Sequence, residues 1–269
     1  MPELPEVEVT RRGLAPRLTG RVISGATVRE RRLRWPIPEA VRALAGRRVR
    51  GVRRRAKYLL IDCDGGHLLL HLGMSGSLRV LPRGTPAAKH DHFDLELGDR
   101  ILRLRDPRRF GAVLWCETDV DAHPLLAHLG VEPLSRALTP AHLFGLARGS
   151  RVAIKQFLMD SRRVVGVGNI YASESLFLAK IDPRKPASRI PLKKYKDLVV
   201  AIRRTLHAAI RAGGSTLRDF VASDGARGYA QQKHWVYDRA GQPCRRCGAK
   251  IRRIVQGTRA TYYCASCQR

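Results

Sequence analysis

The sequence predicts an α+β protein with a β-rich N-terminal domain led by one helix, a helical C-terminal domain and a small metal-bound finger. Three observations lead there. Between about 21 and 116, short apolar segments alternate with polar residues and are separated by Gly or Asp-Gly turns, the pattern of antiparallel strands. Beyond about 120 the apolar spacing lengthens to that of helices. Near the end, four of the six cysteines stand in two Cys-x2-Cys pairs.

Residues 4–18 read as a helix, with Val7, Val9, Leu14 and Leu18 available for packing. Strands are expected at 58–62, 67–71, 77–81, 92–97 and 100–105, and Asp64-Gly65-Gly66 is a turn. Short strands at this spacing suit an antiparallel sandwich or barrel. Residues 123–129, 139–144 and 151–158 have helical spacing, and Thr139-Pro140 offers an N-cap followed by a first-turn proline. A further helix is expected at 169–178, and the longest at 192–212, stopped by Gly213-Gly214. Residues 222–232 have turn composition and read as a mobile loop. In the finger, strands at 252–256 and 260–263 flank Gly257.

A chain with 44% hydrophobic and 28% charged residues has the makings of a core and is not a disordered one. No apolar run approaches the length of a membrane span. The start, MPELPEVEVTRR, lacks the basic-then-apolar order of a secretory signal. A cytoplasmic, nucleoid-associated location is therefore expected. Lys and Arg number 51 against 23 Asp and Glu, a formal charge of +28. Such an excess repels itself unless a polyanion neutralises it, and nucleic acid is the polyanion that rewards basic side chains through counterion release. Arginine-rich codon usage could swap Lys for Arg, but it does not account for the shortage of acids.

Cys63 and Cys116 lie in strand-like apolar surroundings and read as small core residues. Cys244 and Cys247 are separated from Cys264 and Cys267 by sixteen residues. Each pair sets two thiolates on one turn, and two such turns complete a tetrahedral shell for one structural zinc ion. With all four positions filled by sulfur, no place remains for a reactive water. The finger also carries Arg245, Arg246, Lys250, Arg252, Arg253, Arg259 and Arg269, a basic surface suited to a phosphate backbone.

Pro2 follows Met1, so removal of Met1 would expose a secondary amine. An α-amino group has a pKa near 7.7–8.0, so roughly a tenth or more is neutral at pH 7. Such an amine can attack an aldehydic carbon and give an iminium ion that draws electrons from neighbouring bonds. Glu3, Glu6 and Glu8 are near in sequence, and one could move a proton. Taken alone, these residues are also an ordinary helix start.

The opening Met1-Pro-Glu-Leu-Pro-Glu-Val-Glu8 and the finger ending Arg259-Ala-Thr-Tyr-Tyr-Cys-Ala-Ser-Cys267 closely resemble the formamidopyrimidine-DNA glycosylase family. So do Arg55-Ala-Lys-Tyr-Leu-Leu60, His71-Leu-Gly-Met-Ser-Gly76, Lys89-His-Asp-His92, Asp106-Pro-Arg-Arg-Phe-Gly111 and Gly166-Val-Gly-Asn-Ile-Tyr-Ala-Ser-Glu174. The resemblance implies an N-terminal β-sandwich with a leading helix (1–120), a linker with short helices (121–150), a helix–two-turn–helix domain with a lid at 216–232 (151–232), and a zinc hairpin (233–269). It implies a monomeric enzyme acting on damaged double-stranded DNA. Oxidised purines would be excised, chiefly 8-oxoguanine and ring-opened formamidopyrimidines, and the strand cut by β- and δ-elimination.

Position by position, the resemblance makes Pro2 the nucleophile, Glu3 a proton donor, Lys57 a proton shuttle and Arg259 a phosphate contact that assists elimination. Glu6 and Glu174 become supporting carboxylates. Met74, Arg108 and Phe110 would fill the gap left by an extruded nucleotide, and His90, Arg109, Arg151, Lys155 and Asn169 would hold phosphates. Without the resemblance, Met74 and Phe110 would pass for ordinary core residues. Asn169 follows two glycines at a helix start, where unpaired backbone N–H groups favour an anion in any case. The related endonuclease VIII class shares the proline chemistry but prefers oxidised pyrimidines; Leu4 and the Met74/Phe110 pair here favour the purine-directed class. A non-catalytic zinc-finger DNA-binding protein is the other reading that charge and finger alone allow.

Overall fold

The computed structural model describes residues 2–213 and 234–269. The chain divides into two compact units, one built on the residues up to Ala127, the other on His128–Ala209 with the C-terminal residues to Arg269. The lid expected at 216–232 lies outside the described residues, as does Met1.

The first unit opens with helix α1 (Leu4–Leu18). Eight strands follow: β1 (Gly25–Val28), β2 (Val49–Arg55), β3 (Tyr58–Cys63), β4 (Gly66–His71), β5 (Ser77–Pro82), β6 (Asp91–Leu97), β7 (Arg100–Arg105) and β8 (Ala112–Cys116). They form two antiparallel four-stranded sheets, in the orders β1-β6-β7-β5 and β2-β3-β4-β8. Leu14 and Leu18 of α1, Leu59, Ile61, Leu68 and Leu70 of one sheet, and Phe93, Leu95, Leu102 and Leu104 of the other share one buried core. This is the expected sandwich. Cys63 is part of its core, and burial pushes that thiol up to about 12. A half-solvated strand would alternate, but β6 is buried on nearly every residue because its polar side chains are paired, Asp94 with Arg103 and Arg29 and His92 with the Asp106 carbonyl.

In the second unit lie α2 (Pro140–Ala147), α3 (Ile154–Met159), α4 (Asn169–Leu178) and α5 (Leu192–Arg211). Strands β9 (Arg252–Gln256) and β10 (Arg259–Tyr263) pair antiparallel as the finger hairpin. Thr139 caps α2 as expected, its hydroxyl accepting the His142 N–H at 3.0 Å. Along α5, Tyr195, Leu198, Val199, Ile202, Leu206 and Ala209 are buried at intervals of one helical face.

Two expectations are corrected. Residues 123–129 form one turn rather than a helix, with Leu126 and Ala127 both donating to the His123 carbonyl. Pro124 brings no N–H, and Gly130 then turns away to donate to Ser161. Helix α3 begins at Ile154 rather than 151, because Ala153 is extended and bridged to Pro186 and Val152 accepts the Ala187 N–H.

Candidate functional site

In the first unit, Pro2 and Glu3 lead into α1, and both are buried. Glu3 is the N-cap, and the fully buried Glu6 accepts its N–H at 2.7 Å in a capping box. The Glu3 carboxylate in turn accepts the Glu6 backbone N–H, so it is fixed at the first turn directly after Pro2. Glu8, one turn on, is held by arginines. Burial would raise its pKa, but hydrogen bonds from Arg11 and Arg12 and the charge of Arg54 outweigh that and hold it at about 2. Its carboxylate accepts from Arg54 at 3.2 Å, while a second Arg54 nitrogen donates to the Ala56 carbonyl at 2.9 Å. Helix α1 is thereby tied to the turn that carries Lys57.

That turn is the two-residue link between β2 and β3, closed by the Arg55–Tyr58 pair. Ala56 takes φ +54° there, a conformation that favours glycine and that a tight hairpin demands. Lys57 sits half-buried at the tip. Nearby, His71 is pushed down to about 4, first by burial and then by the charges of Lys57 and Arg34. Its Nδ1 accepts the Gly73 N–H at 3.0 Å, so the ring is neutral with its proton on Nε2.

The loops carrying Met74 and Arg108–Phe110 are interlocked. Gly73 has φ +59°, and a Cβ placed there would lie 2.4 Å from the Phe110 carbonyl carbon. Gly111 likewise presses on the His71 carbonyl, 2.7 Å from where its Cβ would be. Between the loops lies Asp106, with no exposed surface. Its Oδ1 accepts the Ser75 hydroxyl at 2.9 Å and its Oδ2 the Gly111 N–H at 2.7 Å. Its backbone N–H donates to the His90 carbonyl, and its carbonyl faces His92 Nε2 at 2.9 Å and accepts the Arg109 N–H. Both His90 (φ +74°) and Arg109 (φ +56°) hold left-handed backbone, strain of the kind that functional loops store. Phe110 is 45% exposed under the Arg108 guanidinium, 5.4 Å away, and Met74 is half-exposed. Neither is a core residue, as their chemistry alone would have it.

Arg103 of β7 is the other support, and sequence reasoning missed it with Asp106. Its guanidinium makes two 2.8 Å bonds to Asp94 and also donates to the Thr85 and Pro86 carbonyls. Loop 83–91, and with it His90, is thus clamped to the sheet. An Asp before proline at a strand end was the available sign of Asp106; nothing marked Arg103 among 51 cations.

In the second unit, Asn169 is the first residue of α4, after Gly168 as N-cap. Lys155 is 1% exposed, and its ammonium donates to Asn169 Oδ1 (2.6 Å), Thr261 Oγ1 (2.7 Å) and the Ala260 carbonyl (2.8 Å). Lys155 thereby holds the Asn169 side chain and fixes β10 just after Arg259. Arg151 and Arg259 are both exposed. The carboxylate of Glu174 accepts the backbone N–H groups of Trp235, Val236 and Tyr237 at 2.8–2.9 Å, so in this arrangement it anchors the approach to the finger.

The sulfur atoms of Cys244, Cys247, Cys264 and Cys267 all lie within 4.8 Å of one another. Two of the separations are 3.5 and 4.0 Å. Four sulfurs at about 2.3 Å from a tetrahedral zinc would be about 3.8 Å apart, so the donor set and its size fit zinc.

Residues 1–113 match the model of the formamidopyrimidine-DNA glycosylase N-terminal domain, 129–221 that family's H2TH domain, and 241–269 a zinc finger found in FPG and IleRS. The formamidopyrimidine-DNA glycosylase of Herminiimonas arsenicoxydans is 57% identical over 273 residues, covering both chains completely. The Lactococcus lactis Fpg bound to DNA containing an abasic site superposes with a TM-score of 0.91 at 34% identity, over 99% of each chain. A variant of the same protein bound to Fapy-dG DNA gives 0.92 at 34% identity, over 100% of each.

Proposed function

The chain belongs to the formamidopyrimidine-DNA glycosylase family, and from that premise we propose that it excises oxidised purines and then cleaves the abasic strand by β,δ-elimination. The observation that carries this is the start of α1, where Pro2 is followed by a buried Glu3. With Met1 removed, the neutral Pro2 nitrogen attacks C1′ of the damaged nucleotide. The C1′–base bond breaks, and Glu3 passes a proton to the opening sugar-ring oxygen. The resulting iminium makes the C2′ proton acidic. Its loss expels the 3′ phosphate, and a second elimination expels the 5′ phosphate. Lys57, held out on its strained turn, shuttles protons in these steps, and Arg259 stabilises the departing phosphate. Met74, Arg108 and Phe110 stand in for the extruded nucleotide, two apolar faces replacing stacking and a guanidinium satisfying the orphaned base. His90, Arg109, Arg151 and Asn169 hold the backbone of the duplex.

Borohydride should trap a covalent protein–DNA complex with 8-oxoguanine or abasic duplex, and Pro2→Gly should reduce it at least tenfold. No trapped product with Met1-free protein would leave a non-catalytic DNA-binding role. Faster cleavage of thymine glycol than of 8-oxoguanine would instead assign the oxidised-pyrimidine specificity.

A further inference from the structure

At the far end of α4 from Asn169 lies a pocket of about 350 Å³, lined by Lys180, Lys194, Arg246, Ser266, Cys267 and Arg269. Four of these six side chains are cationic. The acid paired there is Asp197, exposed and 3.6 Å from Lys194. We infer that this pocket is a second anion site, taking a phosphate-type oxyanion held by Lys180 and Arg246.

Two features set it apart from a merely basic surface. Helix α4 closes with the Lys180 N–H on the Phe177 carbonyl (3.1 Å) and the Ile181 N–H on the Leu176 carbonyl (3.0 Å). This closure puts Lys180 at the position glycine usually occupies, with φ +56°. Lysine at this position bears backbone strain that glycine would avoid, while its side chain lines the pocket. Complementing the helix dipole does not require it, because Lys194 already donates to the Ala179 carbonyl at 3.3 Å. Arg246 is also held: its guanidinium lies 4.8 Å over the Phe177 ring, which stacks on Trp235 at 5.6 Å. A guanidinium fixed in this way meets an oxyanion with little ordering cost.

The site is separate from the proposed phosphate contact at Asn169. Helix α4 has ten residues, so its ends are about 15 Å apart. The anion is either a free phosphate compound or a phosphodiester of DNA running beyond the lesion.

The test uses the zinc-loaded full chain, with inorganic pyrophosphate titrated at low salt and followed by calorimetry. Lys180→Gly supplies the residue the backbone favours, so it keeps the fold while removing the charge; Arg246→Gln is the second variant. Pyrophosphate affinity should fall at least tenfold in each, and borohydride trapping on a short abasic duplex should be unchanged in Lys180→Gly. If DNA is the source, Lys180→Gly also weakens binding of a duplex three turns longer, and pyrophosphate competes with that longer duplex. If a free phosphate compound is the source, both duplexes bind the variant as they bind the parent. Absence of pyrophosphate binding by the parent, or equal binding by all three proteins, overturns the inference.

Discussion

The carboxylate of Asp106 serves two loops at once, and its two oxygens are not equivalent. Oδ2 meets the Gly111 N–H at 2.7 Å, while Oδ1 meets Ser75. In Asp106→Asn an amide NH2 must face one of these donors, leaving a buried hydrogen bond unmade. The expected loss is about 1–3 kcal/mol of unfolding free energy, read by urea denaturation. His71 makes a second prediction at this scale. Its folded pKa of about 4 lies below the ordinary 6.5, so the folded state refuses a proton that the unfolded chain accepts. Its stability contribution is complete above pH 6.5 and is lost as pH falls toward 4. The urea midpoint should drop over that window, and His71→Gln should flatten the drop. A profile unchanged by the substitution would assign the loss to other groups.

Strands β6 and β7 show how a sheet can bury charge on the face turned away from its apolar core. Arg103 and Asp94 are both nearly fully buried, and their pair is completed by Arg29 and two loop carbonyls. Burial would raise the Asp94 pKa, but the hydrogen bonds from Arg103 and Arg29 prevail and keep it below its usual value. Arg103→Ala leaves that carboxylate buried beside Asp91 with its principal partner gone. A cost of about 3–5 kcal/mol is expected, because an unpaired buried charge loses its compensation while keeping its desolvation penalty. Loop 83–91 should come loose with it, measurable as faster amide exchange at 85–91. The periodicity of β6 hid this arrangement, since alternating polar residues look solvated until their partners on β7 and just past β1 are placed beside them.

At the scale of the whole molecule, the finger depends on its four cysteines more than on its small apolar cluster of Phe177, Val236, Ile251 and their neighbours. Structural zinc supplies about 10–16 kcal/mol in isolated finger peptides. Cys264→Ser should therefore lose the metal and weaken duplex binding, measured by zinc content and fluorescence anisotropy. Retention of both would refute the finger's role. The charge of +28 belongs to the same scale, and makes DNA affinity fall steeply with salt through counterion release.

Local signals determined a good deal from the sequence by itself. The bounds of α1 and α4, the hairpin pairing of the finger, and the zinc cysteines all depend on spacing within a few residues, which sequence displays directly. The segments that carry Pro2, Lys57, Met74 and Phe110 were likewise legible as those of the family to which the chain belongs. What they rest on was not. The burial of Lys155 against Asn169 and Thr261, the three N–H groups on Glu174, and the Asp106 and Arg103 clamps join residues from 5 to 106 positions apart. A side chain's donors are assigned only when folding brings its acceptors within about 3 Å and removes the competing water. That is why the sequence offers Lys155 only as a cation, while its bonds to Asn169, Thr261 and Ala260 belong to the folded chain.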